Sequence, residues 1–518
     1  MKKTIALLLS LAITAAAFTG CGTTAPASSK ADVDEKKVFT FGDTTFNSEN
    51  EEPTIDAHDA YCGWPCIRYG VGETLFKFND NMELEPWIAE SYENVDELTW
   101  KITIKDGVNF SNGKNVDAQA VKECLEDLVA VHERAASDLD IASIEAEGQE
   151  LTVKTNTPRP TLLNFMCDPY GCIIDVQAGN ENGIVVGTGP YVATEVAVDD
   201  HINLVKNENY WAGDVKVDEV KVLTITDGDT LALALQNGDI DAAYGMAYAS
   251  YPIFDNDQYT FSSTPTSRAF YLQMNFDSPI VKDDAVRKAI AMGIDKESFV
   301  NTLLNGYGYV GKGVFPDNFE FGGDKVKSEE YNPTEAKKVL EDAGWVDTDN
   351  DGIREKNGEK LTIKWVSYPS RQELPLLAES AQASLKEIGI DVQLNITADH
   401  GQVVSDSSQW DVYAAAFVTC GTGDPMYFFS THCMNDSPKN RGNYHNEDVE
   451  KLCQQLSETF DNEERSDLAV ELQQDIIDDN AFVFCSFLKM SMISKSNVNG
   501  LEAHPCDYYE LTADLDIN

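Results

Sequence analysis

Basic residues are scarce in this chain. Its 518 residues include 39 Lys and Arg against 88 Asp and Glu, a formal net charge of −49. A surface of that sign repels nucleic acid and anionic lipid, so neither is an expected partner. The acidity reads as a solubility device. Past residue 18 no apolar run is long enough to cross a bilayer. The seven histidines (58, 132, 201, 400, 432, 445 and 504) are scattered, and there is no HExxH, no GxSxG and no Ser-x-x-Lys in a usable context. Catalysis is therefore not expected, and the chain is read as a binding protein rather than an enzyme. Internal repeats are missing as well.

Eleven cysteines are present, at 21, 62, 66, 124, 167, 172, 420, 433, 453, 485 and 506. Their spacings are not those of zinc ribbons and fix no disulfide pairing. Buried free thiols are expected for most of those after Cys21. At the amino terminus Lys2 and Lys3 precede an apolar run over 5–18, too short for a permanent span. Phe18-Thr19-Gly20-Cys21 resembles the bacterial lipoprotein box, although Phe18 replaces the usual Leu. The expectation is a lipoprotein signal peptide over 1–21 with Cys21 as the lipid anchor, then a flexible polar tether over 22–37. The mature protein is expected to be a monomer outside the cytoplasm, touching the cell membrane only through its lipid.

The rest has ordinary globular composition, 42% apolar and 25% charged, and is long enough for two large lobes. Its organisation centres on residues 267–304. Residues 269–275 form an apolar run of strand length. After Asp283 and Asp284 the period changes: Val286, Ile290 and 292–294 recur at helical spacing, and Phe299, Leu303 and Leu304 repeat it after Asp295. A strand of one packed unit hands over to helices that open another. The chain thus crosses between lobes here, and function is expected in the cleft. Upstream, strands are expected at 38–41, 99–105, 151–155, 191–198, 202–206 and 220–226, with helices at 117–131 and 230–236. Downstream, helices at 334–343, 373–388, 448–460 and 463–478 alternate with strands at 361–366, 392–396 and 410–415. Strands at 481–487 and 490–494 return to the first lobe. Such alternation predicts an α/β fold.

The glycines of 306–312 (GYGYVGK) match a dinucleotide fingerprint and most of a phosphate loop. Both motifs need glycines that follow a strand and open a helix. These follow a helix, Gly306 reads as its cap, and Gly313 replaces the Ser/Thr that would bind magnesium, so a nucleotide site is rejected. Asp347, Asp349 and Asp351 alternate ahead of Gly352 as in the opening of a calcium loop. Gly358 holds the place of the closing acid and Glu359 comes one residue late. The choice lies between a structural calcium site and a solvated turn. In the stretch 59–69 (DAYCGWPCIRY), Tyr61, Trp64 and Arg68 are candidate ligand-binding residues, since aromatic walls with a few placed charges suit a small solute. Core packing is the alternative for Trp64 and Tyr69.

The stretch YLQMNFDSPIVKDDAVRKAIAMGIDKESFVNTLLNGYG resembles the central motif of the family 5 extracellular solute-binding proteins, the peptide and nickel-chelate receptors of ABC importers. Similar blocks follow in family order, among them LEPWIAESYENVDELTWKITIKDG from Leu84, GTGPYVATE from Gly187, NENYWAGDVKVDEV from Asn207, ALQNGDIDAAYG from Ala234, YNPTEAKKVLEDAGW from Tyr331 and GDPMYFF from Gly423. The resemblance implies a periplasmic-binding-protein-like clamshell, type II, in the large three-part form. Lobe I would take 38–267 plus 484–518, with an insert near 74–185, and lobe II 268–483. It implies capture of a short peptide by hinge closure and delivery to an ABC permease. A nickel or other metal chelate is the alternative solute, and a sensing or surface-binding protein that feeds no transporter is the third reading. Arg134 falls where nickel-chelate members place a carboxylate-binding arginine, or it is a solvated helix-end arginine. Residues 416–426 correspond to the main ligand-contacting segment, which nominates Phe417, Thr419, Cys420, Thr422 and Met426. Gly421 stands where peptide binders carry an aspartate for the α-ammonium. Thr419, Gly423 and Ser437 replace the aromatics and histidine of nickel-chelate members, with His432 and His445 near but out of register.

Overall fold

Strand alternation upstream and downstream of the crossing resolves into one large mixed sheet. In the computed structural model, which describes residues 36–47 and 54–518, its order is Asp391–Ile396, Thr362–Ser367, Val412–Val418, Tyr259–Met274, Phe482–Lys495, Ala242–Tyr244, Val38–Asp43, Glu219–Thr224, His201–Lys206 and Tyr191–Ala197. Gly308–Val310 pairs with Phe482–Lys495 off this path. The signal segment, Cys21 and nearly all of the expected tether lie outside the described residues. The unit Lys37–Asn518 is the part described below.

Period-two alternation assigns side chains to the two faces of this sheet. Phe270, Leu272 and Met274 join one buried cluster with Val483, Cys485, Ile493, Ile363, Trp365, Val412 and Ala414. Their neighbours Ala269, Tyr271, Tyr413, Ala415, Phe482 and Phe484 point the other way, into a second cluster. A third cluster gathers Phe39, Phe41, Tyr69, Val220, Ala242, Tyr244, Met490 and Met492. Ala242 and Tyr244 lie in that third cluster while Ala243 lies in the first, so opposite faces serve different cores. Residues 231–254, which the sequence reading gives to lobe I, supply Leu231, Leu235, Met246 and Phe254 to the core beneath Phe270.

A separate antiparallel sheet is ordered Ala89–Asp96, Thr99–Ile104, Glu150–Thr155 and Ile141–Glu147. Helix Ala118–Val131 packs on it through Val121, Leu125 and Leu128. Its start is fixed by Asp117, which accepts from the Ala120 amide. The same device opens Asp284–Gly293, where Asp283 accepts from Ala285, and Pro333–Asp342, where Asn332 accepts from Glu335. Gly306 follows a π-turn, Phe299–Leu303, has φ +78° and donates to the Val300 carbonyl. The glycines of 306–312 therefore lead into a strand, the reverse of a phosphate loop.

All ten cysteines of the described residues are buried free thiols.

Candidate functional site

Two adjoining cavities of about 490 and 500 Å³ share Thr45, Asn47, Tyr244 and Arg371 as walls. The first is lined from separate stretches of chain: Tyr61, Cys62 and Trp64, then Arg134, Asp168 and Tyr170, then Arg268, Tyr427, Asp507 and Tyr508. Some of these segments feed the core around Phe39 and others the core around Tyr271, so the cavity opens where the two apolar clusters of one sheet face part.

Trp64 begins the one-and-a-half-turn helix Gly63–Arg68. Gly63 is required there, because a Cβ would meet the Pro169 carbonyl carbon at 2.5 Å. Behind Trp64 lies Arg68, with no exposed surface and its guanidinium carbon 3.4 Å from the indole centroid. It pairs with Asp507 at 2.5 Å, Glu510 at 2.8 Å and Asp43 at 3.4 Å. One buried cation among three carboxylates does not neutralise them all. Burial, together with the fields of Asp507 and Asp43, pushes the Glu510 carboxyl well up against the pull of Arg68, so Glu510 holds its proton. Arg68 is thus a corrected assignment: it props the cavity floor and does not line it.

Arg134 is 28% exposed and reaches both Asp168 oxygens from one nitrogen, at 3.1 and 3.2 Å, with Asp138 at 3.9 Å. The rings of Tyr170 and Tyr61 lie 5.1 and 5.6 Å from its guanidinium carbon. Burial raises the Asp138 carboxyl to about 6, despite Arg134. Asp507 is shared, because Arg268 reaches its other oxygen at 3.3 Å. Arg371 differs from both. Among the described residues no carboxylate lies within ion-pair distance of it. Burial disfavours its charge, while the fields of Tyr244, Glu373, Tyr368 and Asp507 keep it cationic. A half-buried guanidinium without a counter-ion on the wall of a cavity is a ready anion site.

The segment 416–426 is placed differently from the expectation. Thr419 and Cys420 are wholly buried. Thr419 donates to the Ser267 carbonyl at 3.1 Å and the Cys420 amide donates to Ser267 Oγ at 3.2 Å. Asn164 ties down the Thr422 carbonyl at 2.8 Å. With the backbone so turned, these side chains fill core, and Tyr427 presents its ring to the cavity instead. Phe417 stacks behind Tyr427, with centroids 5.4 Å apart and planes 10° apart. Met426 and Thr422 also stand off the lining. Tyr61, Trp64 and Arg134 do line it.

No histidine lines either cavity. His432 is buried between Tyr271, at 2.9 Å, and Thr431, at 2.7 Å, stacked on Phe428. Burial holds it neutral.

Sequence reasoning missed Arg268, Arg371, Asp168, Asp507 and Tyr244. Arg268 opens the very run read as the crossing strand, where an arginine at the head of an apolar run was a usable signal. Arg371 lies in a turn before a helix and carried none.

A solute-sized cavity walled by arginine and tyrosine, on an α/β frame of mixed sheet, is the arrangement of periplasmic binding proteins. The pattern of bacterial extracellular solute-binding proteins, family 5, matches residues 83–440, and the chain belongs to that family. The nickel-binding protein NikA of Staphylococcus aureus is 28% identical over 407 residues, 78% of this chain and 81% of that protein. The oligopeptide-binding protein AppA of Bacillus subtilis is 25% identical, with 97% of each chain covered. Among solved structures, Staphylococcus aureus NikA in complex with Ni(L-His)2 gives a TM-score of 0.78 at 25% identity, covering 93% of this chain and all of that one. Bacillus subtilis AppA in complex with a nonapeptide gives 0.76 at 22% identity, covering 93% and 99%.

Proposed function

We propose that this protein is the substrate-binding lipoprotein of an ABC importer and that it captures a short peptide, with the peptide's carboxylate on Arg371. The observation that carries this is the cavity-wall guanidinium without a counter-ion, set among Tyr244, Tyr427 and Trp64. Charge-assisted, forked hydrogen bonds give such a site its affinity, and the aromatic walls supply apolar contact. Together the two cavities have room for a few residues of peptide. Capture proceeds by closure of 38–267 plus 484–518 on 268–483, with solute released to the permease and no turnover. The box at Phe18–Cys21 supports a lipid anchor, and Cys21→Ser protein is expected in the medium instead of the membrane fraction.

A metal chelate is the second reading. NikA of Staphylococcus aureus, cited above, favours it, as does Gly421, where an ammonium-binding aspartate is missing. With no imidazole on the lining, a metal would have to arrive with its own ligands. Calorimetry on the delipidated chain with a dipeptide and tripeptide panel, and with nickel–histidine, separates the two. Peptide binding that falls about 10- to 100-fold in Arg371→Ala is expected. Saturable binding of the chelate alone would replace the peptide reading.

A further inference from the structure

The turn at 347–355 holds four acids that nothing in the transport reading uses. One carboxylate oxygen from each of Asp347, Asp349, Asp351 and Glu355 lies within 4.8 Å of the other three. Part of this cluster is conventionally satisfied. Asp347 accepts from the Gly352 amide at 3.0 Å, and Glu355 accepts from the amide and hydroxyl of Thr348 at 2.9 and 3.1 Å. Lys360 bonds Asp351 on the outside and lies 3.5 Å from Asp349.

The inward oxygens are not so served. Asp347 Oδ1 and Glu355 Oε1 are cut off from solvent and have no hydrogen-bond donor. Two desolvated carboxylate oxygens facing two more carboxylates repel one another, and nothing from the protein offsets that cost. A hard divalent cation answers all four at once.

We propose that Asp347, Asp349, Asp351 and Glu355 form a structural calcium site. The donors are all oxygen, which selects calcium over nickel or zinc, and carboxylates with water can reach its coordination number of six to eight. The closing acid is Glu355, not the Gly358 or Glu359 position to which sequence spacing points. Those two fall in the hairpin of Glu355–Lys356 with Glu359–Lys360. The frame around the loop is rigid. Val346 and Glu355 exchange backbone bonds at 3.0 Å, and Arg354 grips the Trp345 and Ile388 carbonyls at 2.8 Å each. Calcium would therefore fasten the loop to a base already set.

The test uses the purified chain after chelator dialysis. Calcium chloride is titrated by calorimetry, and terbium luminescence is excited through Trp345, two residues before Asp347. One site per chain is expected, with a Kd on the order of 10⁻⁴ to 10⁻³ M, as in extracellular calcium modules. About 10 mM calcium should raise the Tm by about 2 °C. Asp349 and Asp351 are exposed, so the double variant Asp349→Asn, Asp351→Asn is expected to fold and to lose at least about 10-fold in affinity. Absence of both calcium heat and terbium signal overturns the proposal. So does a signal unchanged in the double variant, or one that nickel chloride displaces as well as calcium does.

Discussion

Glu73 is buried with hydrogen bonds rather than a counter-ion. Thr188 and Trp211 donate to one oxygen at 2.9 and 2.8 Å, and Tyr210 donates to the other at 2.8 Å. Burial raises its pKa to about 7 in spite of these three donors. The folded protein then binds a proton that the unfolded chain has released, so stability falls as pH rises from about 4.5 to 7 and levels off above. The span is worth about 3 kcal/mol. Glu73→Gln is expected to flatten that part of a Tm-against-pH curve, and an unaltered slope would show that other groups set it. In the cavity, Arg134 and Arg371 make a paired comparison. Arg134 is already engaged by Asp168, so Arg134→Ala should weaken a carboxylate ligand less than Arg371→Ala, measured by calorimetry on the same peptide. Residue identity was legible where aromatics clustered near one turn, as with Tyr61 and Trp64. It was not legible where tertiary contacts decide between roles. Arg68 and Arg371 look alike in sequence, and only the carboxylates of 507 and 510, far along the chain, make one of them floor and leave the other on the wall.

At the scale of elements, the Asp424–Arg465 pair joins two pieces of the second half. Asp424 precedes helix Met426–His432, and Arg465 lies on helix Asn462–Asp478. The guanidinium holds both carboxylate oxygens, at 2.6 to 3.1 Å, with both side chains buried. It also donates to the Leu456 and Thr459 carbonyls at 2.6 and 2.7 Å. Arg465→Ala leaves a buried carboxylate unpaired and is expected to cost about 3–5 kcal/mol in denaturant melts, with Arg465→Lys losing less. Elements with strong periodicity were legible to within a residue or two, among them Ala118–Val131, Pro333–Asp342 and Asn462–Asp478. Strand Ala89–Asp96 was not, because seven of its eight residues are exposed and no alternation marks an exposed strand. The crossing strand is longer than its apolar run. Tyr259–Met274 begins in polar sequence, and its register shifts between Pro265 and Ala269. Its partner runs unbroken as Phe482–Lys495, where spacing gave two pieces.

For the molecule as a whole, that register shift is where a hinge would bend. At Ser267 and Arg268 one strand leaves its long pairing with 489–495, picks up Val412–Val418 on its other edge, and passes Arg268 to the cavity. The neighbouring backbone is held by side chains: Thr266 donates to the Leu488 carbonyl at 2.7 Å, and Tyr309 donates to the Thr266 carbonyl at 3.0 Å. A shift already present in the ladder can change angle without breaking regular pairs, whereas the flanking segments stay locked. A ligand that touches both Arg371 and the wall at Trp64 favours whichever angle brings these closer, by no more than its added contacts there. Saturating peptide is therefore expected to lower the radius of gyration in solution scattering. In Arg371→Ala the same curve should require proportionately more peptide. If calorimetry shows binding while the scattering curve stays fixed, the cavity is preformed and the register shift is a rigid feature of the sheet.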